Sequence, residues 1–226
     1  MTSKLPPAFI RSLRDDYHLE EESFLKAISD SSQITSIRLN PFKPISIYNE
    51  EEKVKWCTEG RYLRERPFFT ADPLFHAGCY YVQEASSMFL EHALKHTVNL
   101  ENTITILDLC AAPGGKSTLI SSLITKESLL VANEIIKTRV PVLSDNLSKW
   151  GVENVFVSNN DPRDFQQLRG FFDAVVVDAP CSGSGMWRKD PDSINEWSES
   201  AVQLCSQRQK RILADIYPAI NKDGLL

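Results

Sequence analysis

The sequence of 226 residues lacks any apolar run as long as a membrane span, and its first residues lack the apolar centre of a secretory signal. Its five cysteines form no CxxC pair, and no histidine and cysteine stand at a spacing suited to zinc. We therefore predict no membrane partner and no bound metal. Because scattered thiols are typical of reducing compartments, we expect a cytoplasmic protein.

The chain also lacks the excess of positive charge that proteins binding polyanions usually show. It has 25 Lys and Arg against 30 Asp and Glu, which gives a formal net charge of −5. Local basic groups exist nonetheless, at Arg61, Arg64 and Arg66 and again at Arg188 and Lys189. On charge alone, solvated surface side chains are the simpler interpretation of both groups.

What the sequence does contain is an alternation of short apolar runs with helical patterns. The runs that we predict as strands are residues 104–109, 128–132, 155–158 and 172–177. Strands that alternate with helices predict a mostly parallel sheet in a Rossmann-like α/β fold. A helix with one apolar face is predicted at 83–96. We place a small α/β extension at 1–70 and the wound sheet at 71–226.

A glycine-rich turn separates the first of these strands from the helix that follows it. Such a turn lets the backbone pass close to a ligand and directs the amide groups of a helix N-terminus towards it. A phosphate-binding P-loop is suggested by Gly115-Lys116-Ser117, but the P-loop pattern requires a glycine where Cys110 stands. The GxGxxG pattern of dinucleotide-binding proteins is absent. A purely structural turn remains the alternative.

Carboxylates follow the other strands of the predicted sheet. Glu134 comes after the second strand, Asp161 after the third and Asp178 after the fourth. Ligands of such folds bind outside the carboxyl ends of the strands, where an acid can accept hydrogen bonds from ribose hydroxyls. Three acids would repel a polyphosphate but suit an adenosine ligand that carries a sulfonium cation.

Two longer motifs resemble those of the Nol/Nop/Sun family of RNA cytosine-5 methyltransferases. They are Cys110-Ala111-Ala112-Pro113-Gly114-Gly115-Lys116 and Asp178-Ala179-Pro180-Cys181-Ser182-Gly183. Shorter matches are Arg38-Leu39-Asn40, Tyr81-Val82-Gln83-Glu84-Ala85-Ser86-Ser87 and Arg188-Lys189-Asp190-Pro191. The stretch that begins at Gly185 is most similar to the bacterial RsmF branch, which modifies small-subunit ribosomal RNA.

The resemblance implies a Rossmann-like methyltransferase fold, S-adenosyl-L-methionine as cofactor and RNA as partner, with ribosomal RNA as the expected substrate and transfer RNA as the alternative. The residues that it assigns to the cofactor are Cys110, Ala111, Ala112, Pro113, Gly114, Gly115, Lys116, Glu134, Asp161 and Asp178. Those that it suggests for RNA contact are Arg38, Asn40, Gln83, Arg188 and Lys189.

Methylation of cytosine at C5 needs a thiolate that adds to C6, which makes C5 nucleophilic. A Pro-Cys pair such as Pro180-Cys181 carries the nucleophile in DNA cytosine-5 enzymes, although a structural thiol is the commoner fate of a cysteine. The resemblance assigns Cys181 to product release and places the nucleophile in a Thr-Cys motif, which these 226 residues do not contain.

We therefore expect the nucleophilic cysteine within about half a dozen residues beyond Leu226, at the end of the strand that Gly224 opens. By this interpretation the chain is a fragment, truncated before the last strands of its sheet and inactive by itself. The alternative is a non-catalytic remnant that binds the cofactor or RNA.

Overall fold

The computed structural model describes residues 5–17, 20–29, 34–187 and 190–226. Contacts between residues divide the chain into two compact units, the first formed by 1–33 and 179–212, the second by 34–178 and 213–226. This division differs from the boundary that we predicted near residue 70. The reason is that the strands of the predicted extension lie in the same unit as the wound sheet.

Aromatic side chains form the centre of the first unit. Its helices are α1 (Pro7–Tyr17), α2 (Glu21–Ser29) and the first part of α7 (Glu199–Ile216). The ring of Phe9 on α1 lies 4.6 Å from Trp187 and 5.7 Å from Trp197, measured between centroids. The segment that follows Cys181 is therefore packed against the N-terminal helix by ring contacts, which each contribute about 0.5–1.5 kcal/mol beyond simple burial.

An antiparallel sheet opens the second unit. Its strands are β1 (Thr35–Leu39), β2 (Glu52–Lys53), β3 (Gly60–Leu63) and β4 (Tyr80–Val82), in the order β2-β3-β1-β4, and the short helix α3 (Pro73–His76) precedes β4. The central strand β1 is buried at every position. Its apolar side chains Ile37 and Leu39 pack with Tyr80 and Phe69. Because side chains alternate along a strand, Arg38 lies on the opposite face of the sheet.

A parallel sheet follows in the same unit. Its strands are β5 (Thr105–Asp108), β6 (Leu129–Asn133), β7 (Val155–Ser158), β8 (Phe172–Val176) and β9 (Ile220–Leu225), in the order β7-β6-β5-β8-β9. Each neighbouring pair is parallel. Helix α4 (Phe89–Thr97) precedes β5, α5 (Gly115–Ser121) connects β5 to β6, and α6 (Val140–Trp150) connects β6 to β7. The predicted fold class is confirmed: the strands predicted at 104–109 and 172–177 are the neighbours β5 and β8.

One predicted helix begins later than the apolar periodicity indicated. Residues 83–96 were expected to be helical, but Ala85–Met88 form a 3₁₀ turn and α4 starts at Phe89. The competing interaction is strand pairing, because Gln83 donates its backbone N–H to Ser36 next to β4. In the described ranges, no helix is long and apolar enough to cross a membrane.

Candidate cofactor site at the strand ends

The turn between β5 and α5 depends on Gly114. This residue has a φ of 111°, in the left-handed region that favours glycine. A Cβ at this position would also lie 3.3 Å from Cδ1 of Leu143, so the space beside it is already taken. The backbone N–H of Gly114 closes the turn on the carbonyl of Ala111 at 2.8 Å. Helix α5 consequently begins at Gly115, and its first amide groups lie at the carboxyl end of β5.

Asp108 is the last residue of β5 and is fully buried. Its Oδ2 accepts a hydrogen bond from Ser117 Oγ at 2.7 Å, while its Oδ1 is buried without a hydrogen-bond partner. Burial raises the pKa of this carboxyl to about 6, and the charges of Asp178 and Glu134 add to the rise against the opposing effect of Ser117 and Lys116. The strand end is therefore a site of negative potential, which favours a cation.

Glu134 follows β6 and is only 2% exposed. Its Oε1 accepts the backbone N–H of Ile136 at 2.8 Å. Its Oε2 lies 3.2 Å from Nη1 of Arg139, within ion-pairing distance, but the geometry makes no hydrogen bond and this oxygen is buried without one. Arg139 donates from Nη2 to the carbonyl of Ala112 at 2.6 Å. A buried carboxylate oxygen thus has acceptor capacity left beside the glycine turn.

Asn133 connects the ends of three strands, a role that our reading of the sequence missed. Its side-chain amide donates to the carbonyls of Leu109 and Asn160, at 3.2 and 3.0 Å. Its Oδ1 accepts from Ser158 Oγ at 2.9 Å. The residue is fully buried. A polar residue at the end of an apolar strand was the available signal, but we gave weight only to the acid that follows it.

The other two predicted acids have different surroundings. Asp178 is 60% exposed and forms an ion pair with Lys116, with 2.5 Å between Oδ2 and Nζ. Asp161 caps a 3₁₀ turn, and its Oδ1 accepts the backbone N–H of Arg163. Asp161 is therefore partly engaged in holding its own loop. Within the described parts of the chain, no group of three or more His, Cys, Asp or Glu is placed to hold a metal ion.

The five cysteines differ in their surroundings. Cys57 and Cys79 are buried, and burial raises the pKa of Cys57 to about 12. Burial, with the charges of nearby acids, also raises the pKa of Cys110 to about 11, so this thiol is not a ready nucleophile. Cys181 is the exposed member of the set, and Cys205 lies on α7.

The carboxyl end of β9 borders the place where we predicted the nucleophile. Because β9 is parallel to β8, it ends at the same edge of the sheet as the strand that precedes Asp178. Leu226 follows β9 and is 49% exposed. A Thr-Cys motif beyond Leu226 lies outside this sequence and its structure, so the assignment of the nucleophile to that position stays a prediction.

The residues suggested for RNA contact require a correction. Arg38, Asn40 and Gln83 are 1%, 1% and 7% exposed. The side-chain donors of Arg38 and Asn40 are bonded to protein acceptors, and Gln83 accepts from Arg38. Contact with phosphates or bases would require these hydrogen bonds within the protein to break, so we no longer assign the three residues to RNA. Arg188 and Lys189 lie outside the described residues.

The raised pKa of Asp108 predicts how stability depends on pH. The Asp108 carboxyl has a pKa of about 6 in the folded protein, against the usual value of 3.8. Ionisation of Asp108 therefore lowers the free energy of unfolding as the pH rises through that interval. Asp108→Asn should therefore raise the free energy of unfolding by about 2–3 kcal/mol above pH 7 and change it little at pH 4. Urea unfolding of both proteins across that range measures this. An Asn variant that is less stable at pH 7 than at pH 4, relative to the unsubstituted chain, would contradict it.

Comparison with known proteins agrees with this geometry. The sequence model described as 16S rRNA methyltransferase RsmB/F matches residues 95–226, and that described as the N-terminal domain of 16S rRNA methyltransferase RsmF matches residues 5–85. The ribosomal RNA small subunit methyltransferase F of Psychromonas ingrahamii is 33% identical, over 99% of this chain and 50% of its own length. That of Pectobacterium atrosepticum is 35% identical, over 99% of this chain and 49% of its own. The chain thus spans about half the length of the curated relatives that it matches.

Solved structures share the fold. A methyltransferase homolog protein from Pyrococcus horikoshii is 25% identical, with a TM-score of 0.72 over 98% of this chain and 76% of that one. NSun6 from the same organism, solved with SFG, is 17% identical, with a TM-score of 0.78 over 100% of this chain and 83% of that one. The first of the two sequence models covers more than half of the chain. The chain therefore belongs to the RsmB/F family of 16S rRNA methyltransferases.

Proposed function

We propose that this chain binds S-adenosylmethionine at the ends of β5, β6, β7 and β8 and serves the methylation of cytosine C5 in small-subunit ribosomal RNA. The observation that carries the proposal is the buried Oε2 of Glu134, an acceptor without a hydrogen bond beside the turn at Gly114. A ribose provides two hydroxyl donors for such a carboxylate. Because ribosomal RNA is made in the bacterial cytoplasm, the proposal implies that location.

The residues present fit this cofactor better than they fit a nucleotide polyphosphate. When bound, S-adenosylmethionine supplies a methyl group made electrophilic by a sulfonium. Asp108, Glu134 and Asp178 give the site a negative potential, which attracts that cation and repels phosphates. Lys116 does not offset this potential for a phosphate, since its ammonium is held by Asp178. The residues that we assign to the cofactor are those at 110–116 with Glu134, Asp161 and Asp178.

Each assigned group has a defined task in the proposal. Glu134 would hold the ribose, Asp161 would accept a hydrogen bond from the adenine amino group, and the residues at 110–116 would hold the amino-acid part of the ligand. Cys181 assists the release of methylated RNA, and Arg188 with Lys189 contacts the phosphates of that RNA. Of the described thiols, Cys57, Cys79 and Cys110 are unsuited to attack C6 because they are buried or have a raised pKa.

The choice between the cofactor and a polyphosphate is open to direct measurement. Calorimetry on the purified chain should detect binding of S-adenosylmethionine and none of ATP at the same concentration. S-adenosylhomocysteine, which has the ribose without the sulfonium charge, should bind through the same residues. Binding of ATP in preference to S-adenosylmethionine would support the P-loop interpretation of Gly115-Lys116-Ser117 and defeat the proposal.

A further inference from the structure

The polar side chains of the motif Arg38-Leu39-Asn40 are buried, and their donors are bonded to acceptors within the protein. The guanidinium of Arg38 is 1% exposed and makes four hydrogen bonds to uncharged acceptors. A charged group is costly to bury, and such groups are retained where each donor is satisfied. The partners of this guanidinium therefore indicate what it does.

Three of the four hydrogen bonds go to α5, the helix that begins at the glycine turn. Nη2 donates to the Gly115 carbonyl at 3.1 Å and to Thr118 Oγ1 at 2.6 Å, and Nη1 donates to the Thr118 carbonyl at 3.2 Å. The Thr118 hydroxyl lies 2.8 Å from the Gly114 carbonyl, to which it donates. Arg38 is thus connected, through one hydroxyl, to the glycine whose left-handed backbone forms the turn.

The guanidinium is itself held on its remaining sides. Nε donates to Gln83 Oε1 at 2.8 Å, and the Trp150 ring at the end of α6 lies 4.5 Å from Cζ. Asn40, the residue that follows β1, donates to the Trp150 carbonyl at 2.9 Å. Trp150 donates from Nε1 to Ser122 Oγ just after α5. The antiparallel sheet therefore fixes both helices that flank the turn.

We infer that Arg38 is a positioning residue for the cofactor turn, through which the antiparallel sheet holds α5 and Gly114 in the conformation that binds S-adenosylmethionine. This inference rests on the proposed function. A planar guanidinium is required because its donors are fixed in a fork that reaches Gly115, Thr118 and Gln83 together, whereas the ammonium of lysine is a single point of donation. Burial lowers the pKa of Arg38 to about 10, so the group stays charged at neutral pH.

The test compares Arg38→Lys with a matched variant, Arg61→Lys. Arg61 is also buried in the same sheet, at 7% exposure, but it donates to Thr58 and Gly60, close to it in sequence. For Arg38→Lys we expect affinity for S-adenosylmethionine to fall at least tenfold and amide hydrogen exchange at 110–118 to become faster. For Arg61→Lys we expect neither change, although both variants lose stability.

A second pair of variants keeps the inference testable if Arg38→Lys does not fold. Thr118→Val keeps the shape of the side chain but removes the hydroxyl between Arg38 and Gly114, and it should reproduce both effects. Thr118→Ser keeps that hydroxyl and its hydrogen bonds. Its affinity for S-adenosylmethionine should therefore lie within about threefold of that of the unsubstituted chain.

Two results would overturn the inference. The first is a loss of stability in Arg38→Lys and Thr118→Val with unchanged cofactor affinity and unchanged exchange at 110–118, which would reduce the network to packing. The second is weaker RNA binding by Arg38→Lys at unchanged cofactor affinity, which would return Arg38 to RNA contact. If the unsubstituted chain binds no S-adenosylmethionine, the proposed function fails, and exchange at 110–118 still decides whether Arg38 holds the turn.

Discussion

Glu134→Gln should weaken the binding of S-adenosylmethionine by about 10- to 150-fold. The substitution keeps an acceptor for the Ile136 amide but replaces a carboxylate oxygen by a donor that cannot accept from ribose. Charge-assisted hydrogen bonds to buried carboxylates contribute ~1.5–3 kcal/mol, which corresponds to that range of affinities. The effect should be large because Glu134 is 2% exposed and its Oε2 has no hydrogen bond in the protein.

Calorimetry with S-adenosylmethionine and S-adenosylhomocysteine measures this effect and separates its two causes. Loss for both ligands indicates the ribose contact, and a further loss restricted to S-adenosylmethionine indicates the charge of the sulfonium. Glu153→Gln is a suitable control, because Glu153 is exposed and follows α6. Unchanged affinity in Glu134→Gln for both ligands would mean that the ribose is held elsewhere.

The second large effect concerns the reaction itself: we expect the chain of 226 residues to transfer no methyl group to ribosomal RNA. Without thiolate attack on C6, C5 has too little electron density to displace a sulfonium methyl, and positioning alone does not supply it. Cys181, the exposed thiol, stands where the family resemblance assigns product release. The buried Cys57 and the half-buried Cys110 have their pKa values raised to about 12 and about 11.

RNA that contains 5-fluorocytidine tests this assignment sharply. Fluorine at C5 cannot leave as the proton does, so a thiol that has attacked C6 stays covalently bound after methyl transfer. We expect no such adduct with the chain of 226 residues, with or without Cys181→Ala. An adduct that disappears in Cys181→Ala would identify Cys181 as the nucleophile. In a longer relative with a Thr-Cys motif, the variant that replaces the cysteine equivalent to Cys181 by alanine should instead accumulate adduct on unmodified RNA.

The parallel sheet could be predicted from sequence because its signals are local. Runs of β-branched and aliphatic residues such as those ending at Asp108 and Val176 are buried on both faces, which leaves strands in a wound sheet as their simplest structure. The carboxyl ends of parallel strands lie at one edge by construction. The order of strands and helices along the chain was therefore enough to place Glu134 and Asp178 near the glycine turn.

The network around Arg38 could not be predicted in this way. An arginine in a short strand is most often a surface residue, and its acceptors Gly115 and Thr118 are nearly 80 positions away in sequence. No neighbouring residue in the sequence indicates that this guanidinium will bind the carbonyls of a helix that follows a strand of the other sheet. The same applies to Arg139, whose partner Ala112 lies 27 positions earlier. Such contacts depend on tertiary packing rather than on periodicity.

The distance from Glu134 Oε2 to the ribose oxygens, in a crystal structure of this chain with S-adenosylhomocysteine, tests the central claim most directly. We predict that both hydroxyl oxygens lie within about 3.2 Å of that carboxylate, with the ligand's amino-acid part against residues 110–116. Such a structure would pair the buried acceptor that now has no hydrogen bond. A ligand bound away from the ends of β5 and β6, or a Glu134 carboxylate left without a contact to it, would contradict the account.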